Sequence, residues 1–297
     1  MSPRLKTLLI HTCWSLLGRR NLVRLGRALL DGGRLDVWNQ MESNGERLVQ
    51  DCVLRGLAMG ERAVFFDVGA NLGLWSLALL DRARSVEGVQ VTIHAFEPSR
   101  TTRGALERAL EERGVREQIA VVGKALSNER GRARLFITSP FAGSNSLYNR
   151  SDQSGEQASE EIELETLDAY CEAKGVESIS LLKIDAEGHD LAVLEGAGGM
   201  LDAGRIAALQ FEYNWRWIDG RRFLRDAFEL LGPKGYRIGK VTPLGIEFYT
   251  GWHPELETYR EGNYLACRPD WLGRFPRIEW WNAREMNEAT LPADGPD

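Results

Sequence analysis

Residues 63–73 read AVFFDVGANLG, and the fold turns on how that stretch is parsed. Ala63, Val64, Phe65 and Phe66 form an apolar run, and Asp67 follows. Gly69, Asn71 and Gly73 then fall within five positions, ahead of the leucine-rich helical pattern LWSLALL. A buried strand, a tight turn and a helix start, in that order, is how α/β sheets offer backbone N–H groups to a ligand. Gly69 and Gly73 let the main chain approach closely, and Asn71 tolerates positive φ. The plain alternative is a strand–helix turn that binds nothing.

Working outward, residues 91–98, VTIHAFEP, form a second apolar strand that ends in Glu97 and Pro98. In nucleoside-binding sheets an acid at the end of the second strand accepts hydrogen bonds from both ribose hydroxyls, and Glu97 lies 24 residues after Gly73, within range for that role. A dinucleotide fingerprint requires G-x-G-x-x-G, whereas Gly69 to Gly73 give G-x-N-x-G. That spacing suits a turn around S-adenosylmethionine better than one seating a pyrophosphate, and it weakens a nicotinamide oxidoreductase reading.

The rest of the chain alternates regularly. Helices are expected at 74–82, 101–113, 164–174, 189–201 and 219–231. Strands are expected at 63–68, 91–96, 119–126, in RARLFITS after a turn at 128–131, in ISLLKI, at 206–213, and in YRIGKV, IEFY and NYLACR. This order argues for a mostly parallel sheet covered on both faces, with an antiparallel edge. Ligands of such sheets sit beyond the carboxyl ends of the strands, which gathers Gly69, Glu97, Ala125–Ser127 and Asp185 on one rim. The organisation expected is a helical extension or cap at 1–60, a binding domain at 61–270, and a Trp-rich segment with a frayed tail at 271–297.

DVGANLGLWS, FEP, KALS at 124–127 and LLKIDAEGHD at 181–190 together resemble the FkbM-type S-adenosylmethionine-dependent methyltransferases, over roughly residues 63–267. The K-I-D-x-E-G block is the most specific piece. The resemblance implies a class I methyltransferase fold, Rossmann-like, with a mostly parallel seven-stranded sheet, and O-methylation of a hydroxyl on a sugar, glycoconjugate or natural product. The cofactor set is then Asp67, Gly69, Ala70, Asn71, Gly73, Glu97, Ala125, Leu126, Ser127 and Asp185. Lys183, Asp185 and Glu187 alternate, so a strand would project all three to one side, where charges must pair or meet a polar ligand. Methyl transfer to an alcohol needs a base for the hydroxyl proton. His189 and Asp185 are the candidates, with Lys183 and Glu187 beside them, although His189 also stands where it would merely cap a helix. A rival reading makes Asp185, Glu187 and Glu212 an oxygen-rich divalent-metal site, but no dedicated ligand spacing supports it, so no metal is assigned. Ser144, Asn145 and Ser146, in the polar segment 139–160, are candidate lid or acceptor contacts. Glu212, Trp215 and Trp217 are further acceptor candidates, while Trp271, Trp280 and Trp281 read as packing.

Composition bounds the alternatives. Net charge is −6, which does not indicate a general nucleic-acid surface. Residues 1–34 nevertheless carry about +6, leaving about −12 for the remainder. Residues 4–30 set leucines and isoleucine at helical spacing among basic residues. They read either as a helical pair packed on the domain over the cofactor or as an interfacial helix on an anionic membrane. Cys13, Cys52, Cys171 and Cys267 show no C-x-x-C spacing, so a reducing cytoplasm is the expected home. Two other readings stay open. One is a protein or nucleic-acid N-methyltransferase, opposed by the acidic body and by Ser139-Pro140-Phe141, which lacks the second proline of a [DNS]-P-P-[YF] turn. The other is a non-catalytic nucleoside-binding subunit docked through its basic N-terminus.

Overall fold

A computed structural model describes residues 2–37, 39–139, 141, 143–149 and 158–283. In chain order these form α1 (Pro3–Arg34), α2 (Glu46–Gly56), β1 (Arg62–Val68), α3 (Leu74–Ala83), β2 (Gln90–Phe96) and α4 (Arg100–Glu112). Then come β3 (Ile119–Val122), β4 (Ala125–Leu126), β5 (Gly131–Ile137), β6 (Ala158–Glu165), α5 (Leu167–Lys174) and β7 (Ile179–Ile184). The chain continues through α6 (Asp190–Glu195), α7 (Gly198–Asp202), β8 (Ile206–Tyr213), α8 (Leu224–Leu231), β9 (Arg237–Thr242), β10 (Gly245–Phe248) and β11 (Gly262–Cys267).

The main sheet runs β10-β9-β11-β8-β7-β1-β2-β3. Strands β8, β7, β1, β2 and β3 are parallel, whereas β11, β9 and β10 join through antiparallel pairs. β1, β7 and β8 are buried almost throughout, as expected of parallel strands sandwiched between helices. The sheet has eight strands rather than seven, because the hairpin β9–β10 contributes both of its arms. A bridge from Ile246 to Arg277 closes the outer edge of β10.

Several boundaries differ from the sequence reading, each for a local reason. The expected strand 119–126 splits at Gly123-Lys124, and β4 leaves the main sheet to pair with β6. Residues 158–165, expected to begin as a polar loop, are a strand. Their acidic face is matched by the basic strand β5, with Arg132 2.7 Å from Glu161. The helix expected at 189–201 breaks after Gly196, where the Asp168 carboxylate accepts from Gly199 N and Met200 N at 2.6 and 2.9 Å and caps α7. The helix expected from 219 begins at Leu224, where Glu257 accepts from the Leu224 and Arg225 amides. Residues 150–157 of the polar segment and the tail from 284 lie outside the described residues.

Helix α1 does not lie packed over the cofactor region. Leu5, Leu8, Leu9, Ile10, Trp14, Leu16 and Leu17 are exposed, as are Val23, Leu25, Leu29 and Leu30, and Arg34 is its one buried residue. The helix is interrupted at Gly18, whose φ is 73°. Its root is held by charge. Arg34 donates to Glu255 O at 3.1 Å, Lys240 donates to Arg34 O at 3.0 Å and pairs with Asp36, and Arg260 pairs with Asp31.

Candidate active site

The turn after β1 is shaped by close backbone approach. Gly69, with φ 75°, donates to Phe96 O at 3.0 Å, and a Cβ there would meet Asp185 O at 1.9 Å. Any side chain would therefore part β1 from β7. Asn71 adopts φ 49°. Its N–H donates to Glu97 at 3.0 Å, and the other Glu97 oxygen accepts from Ser99 N at 2.9 Å. Each carboxylate oxygen thus keeps capacity for a further donor. Burial raises the Glu97 carboxyl to about 7, outweighing the two amides and Arg103 that lower it. Asn71 Oδ1 is buried without a hydrogen-bond partner among the described residues.

A cleft opens against this turn. Gly69, Asn71, Glu97, Ala125, Leu126, Asn145, Asp185, Glu187 and His189 all line it. The two halves of the sequence motif, some 90 residues apart in the chain, therefore share one hollow.

Behind the wall stands Lys183, only 7% exposed, between Asp67 at 3.5 Å and Asp185 at 3.3 Å. Those carboxylates and Glu46 raise its pKa despite burial, so the ammonium is a fixed charge that ties β1 to β7. It does not line the cleft. Asp67 is fully buried and accepts from the Ser76 hydroxyl at 2.7 Å, which pins the start of α3. Asp185 is one-third exposed.

The charged block does not continue as a strand. β7 ends at Ile184, and the chain turns through Glu187 at φ 54° and Gly188 at φ 94°. Glu187 therefore does not share a strand face with Lys183 and Asp185. It reaches sideways to Arg216 at 2.7 Å, and Arg216 in turn lies over the Trp215 ring at 5.0 Å. Burial and the nearby Asp185 push the Glu187 carboxyl up to about 8. Asp190 holds the turn from beneath by accepting from Ala186, Gly188 and Glu212 amides, and burial raises it to about 7.

His189 stands at the start of α6 but makes no side-chain cap bond. Its Nδ1 is 3.0 Å from the Tyr148 hydroxyl and its Nε2 3.0 Å from the Ser127 hydroxyl. Burial, with Arg222 nearby, lowers the imidazole to about 4, so the ring is neutral at physiological pH. One ring nitrogen then donates and the other accepts. The ring links the segment carrying Tyr148 to the end of β4.

The remaining candidates separate. Asn145 lines the cleft and accepts from Thr138 N, while Ser144 O accepts from the Thr138 hydroxyl. Ser146 donates to Glu187 O at 2.8 Å. Glu212 is buried and held by Asn39 and Asn214 amides, both at 2.6 Å, away from the cleft lining. Trp217 corrects an expectation. It is fully buried, packs against Phe211 and Tyr213, and donates to Glu212 O at 2.9 Å, so it belongs to the core and does not face an acceptor. Trp215 is 38% exposed. Trp280 is buried against Tyr249, in keeping with packing, whereas Trp281 is exposed. Asp185, Glu187 and Glu212 are held by Lys183, Arg216 and asparagine amides, and no group of three metal-ligating side chains occurs among the described residues. Tyr148, Arg216 and Asp190 were missed in the sequence. Asp190 closes the block LLKIDAEGHD and Tyr148 is an aromatic residue in an otherwise polar stretch, so both left a signal, whereas Arg216 left none.

A parallel sheet with a glycine turn and an acid on adjacent strands, opening on one cleft, is the α/β architecture of the class I methyltransferases. Residues 67–238 match the family described as Methyltransferase FkbM domain. The chain belongs to that family and is a methyltransferase. It is similar in fold to the methyltransferase FkbM of Methylobacillus flagellatus KT, at 16% identity and TM-score 0.44 over 71% of this chain; it spans 44% of that protein's length. An rRNA methylase of Streptococcus thermophilus aligns at 11% identity and TM-score 0.41, covering 77% of this chain and 99% of that one. A Streptococcus mutans protein in complex with SAH aligns at 8% identity and TM-score 0.42, covering 75% and 97%. No curated protein matches the chain.

Proposed function

We propose that this methyltransferase uses S-adenosylmethionine to methylate a hydroxyl of a sugar, glycoconjugate or other hydroxylated natural product. The observation that carries the reading is the convergence of the Gly69–Asn71–Glu97 cradle with Asp185 and Glu187 on one cleft. The residues fit the cofactor. Glu97 has acceptor capacity for the ribose hydroxyls, Asn71 Oδ1 lacks a partner among the described residues, and Ala125 and Leu126 offer an apolar wall for a base. When bound, the cofactor supplies a methyl group activated by the positive charge on its sulfur.

The chain's own residues then have separable tasks. Asp185, at the tip of β7, accepts the proton of the acceptor hydroxyl, which is too weakly acidic to ionise beforehand. The carboxyl of Glu187, held by Arg216, and the amide of Asn145 hydrogen-bond neighbouring hydroxyls of the acceptor. His189, bonded on both sides, positions the Tyr148 segment. The deciding experiment is transfer of a labelled methyl group to a panel of hydroxylated, amine and RNA acceptors, with and without a chelator. Label on hydroxylated acceptors is expected. Label confined to amines or RNA would overturn the acceptor class, and no cofactor binding by calorimetry would overturn the reading as a whole.

A further inference from the structure

The arm formed by α1 is an apolar surface with nothing of the domain upon it. Leu8, Leu16 and Leu29 are 64, 79 and 68% exposed, and Trp14 is half exposed. Single exposed leucines need no explanation, but a run of eleven large exposed apolar residues on one helix does. Before the Gly18 interruption, Arg4, Thr7, His11 and Ser15 recur at i, i+3, i+7 and i+11 and form one polar stripe, and leucines, interrupted by Lys6 and Thr12, occupy much of the remaining circumference. After it, Arg20, Arg24 and Arg27 share one side, and Leu22, Leu25 and Leu29 share the opposite one. The first thirty residues hold six Arg or Lys and no acid, against about −12 for the rest of the chain.

We infer that α1 docks the protein onto an anionic lipid surface, lying in the headgroup layer with its leucines and Trp14 inserted and its arginines against the lipid charges. The occupant follows from charge. A second copy's arm would meet this one with like charge, and its acidic body offers charge without an apolar layer for the leucines, whereas an anionic bilayer supplies both. The body of this chain is itself repelled by anionic lipid, so the arm alone supplies the attraction. Tryptophan at the boundary and arginines reaching outward suit a lipid interface. The arm lies on the surface and does not cross it, since no described helix is long and apolar enough to span a membrane. Its root is fixed to the domain by the Arg34–Asp36–Lys240–Arg260 charge cluster, so docking is transmitted to the body.

The test is flotation of the full chain with vesicles of phosphatidylcholine alone and of phosphatidylcholine mixed equally with phosphatidylglycerol. Binding is expected to the mixed vesicles and to fall at about 1 M salt, where the screening length shrinks to about 3 Å. Arg20→Glu/Arg24→Glu/Arg27→Glu should bind mixed vesicles weaker by at least about a hundredfold, at about fivefold for each positive charge lost and more for each negative charge gained. Leu8→Glu/Leu16→Glu should also release the protein. Unchanged melting by circular dichroism would show both variants folded, as expected for exposed positions. Equal binding to both vesicle types, or variants that bind as the wild type does, would overturn the inference. So would sedimentation showing a dimer that Leu8→Glu/Leu16→Glu dissociates, because the occupant would then be a second copy.

Discussion

In the proposed cofactor site, Glu97 has a larger part than its position at a strand end suggests. Buried and accepting from two amides, it holds a proton up to about pH 7, whereas ribose hydroxyls bond best to its ionised form. Cofactor affinity should therefore decline as pH falls below 7, with one proton taken up on release. Glu97→Ala should weaken binding about tenfold to a hundredfold, the range of a charged hydrogen bond, and remove the pH dependence. Calorimetry across pH measures both, and unchanged affinity would take Glu97 off the ribose. For His189 the neutral ring is engaged at each nitrogen. His189→Ala should lower turnover by about tenfold or more while changing cofactor affinity little, because it frees the Tyr148 segment without touching the Glu97 cradle. A fully active variant would end any role for the ring. The sequence made His189, Asp185 and Glu97 legible because short motifs hold them close to glycine turns. It did not disclose Arg216 or Tyr148, whose partners lie tens of residues away and depend on how α6 and the 3-10 turn at Trp215–Ile218 pack.

The element that binds the site together is β7. Its Lys183 answers Asp67 on β1 and Asp185 at its own tip, so adjacent parallel strands are linked by a buried charge as well as by backbone bonds. Lys183→Met should cost about 3–5 kcal/mol, because it leaves buried Asp67 without its cation. The double variant with Asp67→Asn should recover a measurable part of that loss. Urea denaturation of the set provides the check, and an additive double variant would deny the coupling. Most strands and helices could be read from hydrophobic pattern alone, because β1, β7 and β8 are nearly continuous apolar runs and β2 alternates. The reading failed where long-range capping intervened. Asp168 starts a new helix at Gly198, Glu257 sets where α8 begins, and an acidic strand, β6, forms only because basic β5 lies beside it.

At the scale of the molecule, burial of acids near the cleft sets the response to pH. Glu97 and Asp190 are raised to about 7, Glu187 to about 8, and Glu212 well above its usual range, all chiefly by desolvation. The folded state thus holds protons that the unfolded chain has released, and stability falls as pH rises through these values. His189 and His94 act in the opposite sense, but their effect fades as pH rises past about 6.5, the ordinary histidine value, and the carboxyls outnumber them. The urea midpoint of the ligand-free protein should therefore decrease between about pH 6.5 and 8. A flat or rising midpoint would show that these carboxyls ionise freely in the fold. The two rims of the main sheet have a different consequence. β3 and β10 have four residues each, and β10 is already capped by the bridge to Arg277. Little unpaired ladder is left along those two borders to recruit a foreign strand, so the main sheet resists edge-to-edge stacking there.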